Sequence, residues 1–383
     1  MSSPLINYSL PSITERERDK VNEVLKTTSI TQGAFLKDFE HQLAGYCGVD
    51  YAIAVSSGSA ALHLAYKAAG LKDGGEATLP AITFASAAAG VMHCGGTPVI
   101  LDTNPDGCSY SIDQLADHLE QSYNQTALLV TASIGGYPFN RKRIYELAAE
   151  RDIPVIADLS HALGAFYKTE QGRMSPVTDC RYELASVVSF QALKNITTGE
   201  GGAVLTNDKA LAQNVRLLCN HGIESACDPD EPWRYDIIEP GYNYRITEKQ
   251  CAMGIAQLER LPDLQERRNR LANRYLEAFS PHQQIKLPLV QADHQNSWHL
   301  FVIRIPERKK LYDKLLQAGY KAQVHYVPLH YLSFLRRAGR VPQTPEASEI
   351  YYRECLSLPL FPEMRDEDQE AIIWVVEQHI AGL

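Results

Sequence analysis

Three short stretches of this 383-residue chain combine residue types that could do chemistry. The most informative is Ser189-Phe190-Gln191-Ala192-Leu193-Lys194-Asn195-Ile196-Thr197-Thr198-Gly199-Glu200-Gly201-Gly202, in which Lys194 is the only basic residue and follows an apolar run. Apolar neighbours that strip water from an amine depress its pKa and make it a nucleophile towards a carbonyl, as a Schiff base requires. The glycines after it allow a tight turn or a close backbone approach. In Ile156-Ala157-Asp158-Leu159-Ser160-His161-Ala162, Asp158 closes an apolar strand, where open α/β sheets place their ligands. A carboxylate there can hold a heteroaromatic nitrogen protonated. In Val55-Ser56-Ser57-Gly58-Ser59-Ala60 a strand gives way to a helix, whose free N–H groups and dipole favour an anion such as phosphate. Each stretch has a plainer reading. Ser57 can be an ordinary N-cap, Asp158 a cap beside a core histidine at 161, and Lys194 a solvated loop lysine.

The elements that must position these residues alternate. Ser12-Ile13-Thr14-Glu15 is a capping-box pattern opening a helix towards Leu25, and a helical pattern covers 33–46 and ends near Gly48. Strands are expected at 51–55, 98–101, 127–131, 153–157 and 186–190, with helices at 60–69, 112–121 and 141–150 between them. Apolar strands separated by helices imply an α/β fold with a mostly parallel central sheet covered on both faces. The character changes near residue 245: a long helix at 248–275, strands at 298–305 and 323–326, and helices at 309–318, 345–355 and 366–380 read as a smaller α+β unit. In the helix at 345–355, Thr344 is the expected N-cap and Pro345 the first helical residue. The expected organisation is a large domain at 1–245, with an N-terminal arm at 1–30, and a small C-terminal domain at 246–383.

Composition narrows the function classes. With 37 Lys and Arg against 46 Asp and Glu the net charge is −9, which disfavours nucleic-acid binding because such binders need a basic field. The eight cysteines form no CxxC pair, so zinc-ribbon and thioredoxin patterns are missing and no metal site is expected. Scattered thiols and an N-terminus without an apolar leader fit a cytoplasmic protein. Residues 77–101 carry no charge, but two prolines and many small residues make them a buried helix followed by a strand and not a membrane span.

Together and in this order, the three stretches are similar to the pyridoxal 5'-phosphate (PLP) site of fold type I, aspartate-aminotransferase-like enzymes. More narrowly, the chain resembles the DegT/DnrJ/EryC1/StrS family of nucleotide-sugar aminotransferases from Ile6 to its last helix. The pieces that carry this are Ile30-Thr31-Gln32-Gly33, SSGSAALHLA, PAITFASAA, ADLSHALGA, SFQALKNITTGEGGAVLTND and GYNYRIT. Pro232-Trp233-Arg234-Tyr235, Ser297-Trp298-His299-Leu300, QVHYVPLHY and LSLPLFPEM resemble the branch of pseudaminic acid biosynthesis. The resemblance implies transfer of an amino group from L-glutamate to C4 of a UDP-linked 4-keto-6-deoxy-HexNAc, through pyridoxamine 5'-phosphate. It implies Lys194 as the Schiff-base lysine and Asp158 as the partner of the pyridinium nitrogen, which keeps the ring an electron sink. Phe84 would stack on the ring and His161 would lie near its phenolic oxygen. Ser57, Gly58, Ser59 and Ser189 would bind the phosphate, and Asn243 would reach it from the partner subunit of a homodimer. Arg245, His325 and Tyr326 fall on the substrate side. Two departures touch that side: Gln191 stands where many members have His, and 131–136 replaces a stretch that usually contains His. Other nucleotide 4-keto sugars, of perosamine or 4-amino-arabinose type, and a non-catalytic regulator on the same fold remain alternatives. A family dehydratase would carry His in place of Lys194.

Overall fold

Short runs of small and β-branched residues, too apolar to be left in water, become the strands of one sheet. The computed structural model describes residues 5–122, 125–225, 230–231, 233–341 and 345–383, so Cys227, Pro232 and Thr344 lie outside the described residues. In chain order, α1 (Glu15–Leu25) and α2 (Ala34–Cys47) precede β1 (Tyr51–Val55) and α3 (Gly58–Ala68). Then β2 (Glu76–Pro80), α4 (Ala85–His93), β3 (Thr97–Leu101), α5 (Ile112–Ser122), β4 (Thr126–Ala132), α6 (Arg141–Ala149) and β5 (Val155–Asp158) alternate. Two short strands, β6 (Phe166–Lys168) and β7 (Met174–Pro176), lead to β8 (Ala185–Ser189), β9 (Gly202–Thr206) and α7 (Lys209–Leu218). A hairpin of β10 (Ile223–Ser225) and β11 (Tyr235–Ile237) precedes the long α8 (Glu248–Phe279). The remainder holds β12 (His294–Gln295), β13 (Phe301–Arg304), α9 (Arg308–Gln317), α10 (Ser333–Ala338), α11 (Glu346–Glu354), β14 (Cys355–Leu358) and α12 (Asp366–Ile380).

The central sheet has seven strands in the order β1-β9-β8-β5-β4-β2-β3. Neighbours from β8 to β3 pair in parallel, while β9 runs against both β8 and β1. Both faces are covered, as near-continuous apolar strands require. One face packs Val55, Ile156 and Val187 against Leu62, Ala65 and Tyr66 of α3 and Val215 of α7. The other packs Ala54, Val188 and Ala203 against Phe39 and Leu43 of α2 and Ile255 of α8. Further along α8, Leu271, Tyr275 and Phe279 belong to another core, with β13, β14, α9 and α12. The two halves of α8 therefore tie the sheet to the C-terminal elements.

Glu248 makes a second tie. Its buried carboxylate accepts the backbone N–H groups of Gly33 and Phe35 at 2.9 Å and of Leu36 at 3.2 Å. These are orphan donors at the N-terminus of α2, where negative charge is favourable. A Cβ on Gly33 would sit 2.7 Å from Glu248 Oε2, so only glycine leaves room.

Several sequence expectations need correction. The capping box of α1 is built by Thr14 and Glu17, not by Ser12 and Glu15. Ser12 is spent on α8: its carbonyl and hydroxyl accept from Gln257 and Arg260. Residues 77–101 form strand, helix and strand, because Glu76–Pro80 is an interior strand paired with both β3 and β4. The strand expected at 298–305 begins only at Phe301, since Trp298 turns the chain at φ 48°. Residues 323–326 are not a strand: Gln323 exchanges two backbone hydrogen bonds with Ser357, and the chain then departs over the cavity described below. Pro345 is the N-cap of α11 and the helix starts at Glu346. Among the described residues no helix is long and apolar enough to cross a membrane.

Candidate active site

At the carboxyl ends of the parallel strands, a cavity of about 640 Å³ opens between the sheet and residues 323–327. Its floor includes the N-terminus of α3. Ser57 caps that helix, its Oγ accepting from the Ala60 N–H at 3.1 Å, so the expected N-cap and the expected anion cradle are one residue. The helix end is pressed against the sheet. A Cβ on Gly58 would lie 2.9 Å from Ser189 Cβ, and one on Gly202 would lie 2.6 Å from the Gly58 nitrogen. Ser57, Gly58, Ser59 and Ser189 all line the cavity.

Asp158 and Lys194 line the same space. Asp158 ends β5, and one carboxylate oxygen accepts the Ser160 N–H at 3.0 Å. Burial raises the Asp158 pKa, opposed by the Ser160 hydrogen bonds and the charge of Lys194. Lys194 follows β8 in a turn closed by its own N–H to the Gln191 carbonyl at 2.9 Å. Burial lowers the pKa of its amine to about 8, with Asp158 pulling the other way. Among the described residues, Lys194 is the only lysine or arginine in the wall.

The far wall carries aromatic groups. His161 is buried, with Nδ1 3.2 Å from the Gly135 nitrogen and Nε2 3.1 Å from Tyr326 Oη. His325 Nδ1 lies 2.8 Å from Ser357 Oγ, and burial lowers its pKa to about 3. Phe84, the N-cap residue of α4, is exposed at the cavity edge and packs on Tyr326 with ring centroids 5.6 Å apart. Ser133, of the departing stretch 131–136, and Glu200, of the glycine-rich turn, also line the space, as does Tyr8, which has no local signal in the sequence.

Two expected residues are not in this chain's cavity. Asn243 is exposed and pairs with Asn220 across a backbone bridge. The Arg245 guanidinium donates to Asn220 Oδ1 at 2.7 Å. The Tyr244 carbonyl between them accepts the Ser56 N–H at 2.8 Å, so this segment braces the turn that leads into α3.

The donor set fits PLP: an amine of lowered pKa, a strand-end carboxylate that lines the cavity, and a helix N-terminus kept open by Gly58 and Gly202. A sheet of this order with that set along its strand ends is the arrangement of a fold type I, PLP-dependent transaminase. The profile of the DegT/DnrJ/EryC1/StrS aminotransferase family matches residues 11–377, and the chain belongs to that family. It is 33% identical over 98% of its length to the spore coat polysaccharide biosynthesis protein SpsC of Bacillus subtilis, covering 97% of that protein. It is also 33% identical to a UDP-4-amino-4,6-dideoxy-N-acetyl-beta-L-altrosamine transaminase of Campylobacter jejuni, over 96% of each chain. Among solved structures, Spr1654 of Streptococcus pneumoniae superposes with a TM-score of 0.90 at 25% identity, over 99% of each chain in its PLP form and all of each chain in its PMP form.

Proposed function

We propose that the protein transfers the amino group of L-glutamate to C4 of a UDP-linked 4-keto-6-deoxy-HexNAc, as the pseudaminic acid pathway requires. The observation that carries the reading is the match to the altrosamine transaminase along nearly the whole of both chains, together with the lysine this chain has at 194. SpsC is equally similar, so a different nucleotide 4-keto sugar is the second reading. Gln191 and Ser133, in the two segments that depart from the usual family pattern, both line the cavity.

Each residue has a task in such a transfer. When bound, PLP supplies an electron sink beside the reacting carbon. Asp158 would hold a proton on the ring nitrogen, which its strand-end position in the cavity wall allows. The α3 amides and the Ser57, Ser59 and Ser189 hydroxyls would hold the phosphate. Phe84 would cover the ring face. The Lys194 amine, near its midpoint around pH 8, can both accept and return a proton at the substrate carbon. The side of the cavity from which Nζ approaches would set the configuration of the new C–N bond.

The substrates are anions, and among the described residues this chain's wall offers them no arginine and no lysine besides Lys194. That supports a homodimer in which Asn243 of one protomer reaches the phosphate in the other, with Arg245, His325 and Tyr326 towards the sugar. The thiols of the described residues are free, which fits a reducing cytoplasm. The test is a panel of nucleotide 4-keto sugars offered to the holoenzyme with L-glutamate. Preferential amination of the UDP-HexNAc-derived ketone is the expected result. Turnover confined to a perosamine- or arabinose-type precursor rejects the pseudaminic reading and keeps the class.

A further inference from the structure

The Gly135, His161 and Tyr326 contacts fix where the protons lie. The Gly135 N–H faces His161 Nδ1 at 3.2 Å. A backbone N–H can only donate, so Nδ1 holds a lone pair. Burial, with Lys194 and His325 nearby, drives the pKa of His161 well below the ordinary histidine value, so the ring is neutral. A neutral imidazole bare at Nδ1 carries its proton on Nε2. That N–H lies 3.1 Å from Tyr326 Oη and donates to it. The Tyr326 oxygen is thus an acceptor towards His161, and its own hydrogen must point elsewhere. Among the described residues no other group takes it, and the side chain forms part of the cavity wall.

We infer that Tyr326 is a fixed O–H donor aimed into the cavity, set by Gly135 through His161, and that it binds an acceptor oxygen of the molecules held there. Burial pushes its phenol pKa up, so the hydrogen is retained across the working range. The arrangement also gives residues 134–136 a purpose. Gly135 has φ 67°, and a Cβ there would meet the Tyr137 ring at 2.7 Å. A Cβ on Gly136 would meet the His161 carbonyl at 2.6 Å. Gly136 lets the backbone come this close to His161, and Gly135 takes the left-handed turn against Tyr137. The acceptor is either the ring oxygen of the cofactor or the carbonyl oxygen of a keto substrate. The inference rests on the transaminase chemistry alone and not on which sugar is aminated.

Tyr326→Phe deletes the hydrogen and keeps the ring against Phe84. Two readings of the purified holoenzyme separate the sources. A cofactor oxygen predicts that the midpoint of the visible-absorbance pH titration moves by about one unit. A substrate oxygen predicts an unchanged resting spectrum and about a tenfold loss in the rate constant for reaction of the pyridoxamine form with 2-oxoglutarate. If both quantities match the wild type, the inference falls. Nitrogen-15 NMR of histidine-labelled protein, with His161→Asn to assign the signal, reads the tautomer directly and needs no substrate. It should show His161 protonated at Nε2 only. Protonation at Nδ1 overturns the inference, even where 2-oxoglutarate proves a poor substrate.

Discussion

In the proposed transfer two residues carry the chemistry, and each departs from its solution behaviour for an identifiable reason. Lys194 is desolvated, so its amine titrates near 8 and not at 10.5. Modification of the cofactor-free protein by a water-soluble acylating reagent should therefore show a Lys194 rate that rises with pH and levels off just above 8. A midpoint near 10.5 would mean that the amine is solvated. Asp158→Asn removes the negative charge that would hold the ring nitrogen protonated. It should cost at least about a hundredfold in kcat, with the protein still able to take up PLP. At this scale the sequence was legible where the signal is local. Lys194, Asp158 and Ser57 stand beside recognisable strand ends and helix starts. Tyr326 and His161 meet only through the fold, 165 positions apart. Tyr8 has no neighbour in sequence that marks it as part of the wall.

At the scale of the element, the cradle depends on how closely α3 approaches β8 and β9. Gly58→Ala should weaken PLP binding by at least about tenfold, near 1.4 kcal/mol, in a fluorescence titration. An unchanged affinity would show that the helix end can retreat at no cost. A second element depends on charge. Burial pushes the Glu17 pKa up, but hydrogen bonds from Thr14, Arg260 and Gln257 outweigh it and hold the carboxyl at about 2. A lowered pKa stabilises the fold above the ordinary value of 4.5, and that contribution is lost as the pH falls from there towards 2. Glu17→Gln should destabilise by about 2 kcal/mol at neutral pH, and the gap from wild type should narrow on acidification. A gap independent of pH would remove the ion pair from the account. The elements most readily read from sequence were the amphipathic helices and the apolar strands. The strand at 76–80 was hidden because Pro80 and the small-residue stretch that follows argue against a strand, and its burial comes from neighbours on both sides. Residues 323–326 show strand-like residues, yet their partner, Ser357, pairs with one position only.

For the whole molecule, the division into 1–245 and 246–383 stays a proposal, since α8 contributes to cores on both sides of it. The proposed dimer has a sharper consequence. If each site takes Lys194 from one protomer and Asn243 from the other, Lys194→Ala and Asn243→Ala chains are each impaired alone. Mixed after mild dissociation, they should regain up to about a quarter of wild-type activity, because half the sites in each mixed dimer are intact. No recovery would place both residues in one protomer's site or neither in any. The net charge of −9 is no obstacle to anionic ligands here, since the α3 amides and the cavity hydroxyls act locally. The central claim is that Lys194 is the residue that bonds to PLP in this cavity. Borohydride reduction of the yellow holoenzyme, followed by peptide mass spectrometry, tests it most directly. The account predicts the reduced cofactor on the Lys194 peptide and none on Lys194→Ala. Cofactor fixed to another lysine, or a Lys194→Ala protein that still transaminates, would contradict it.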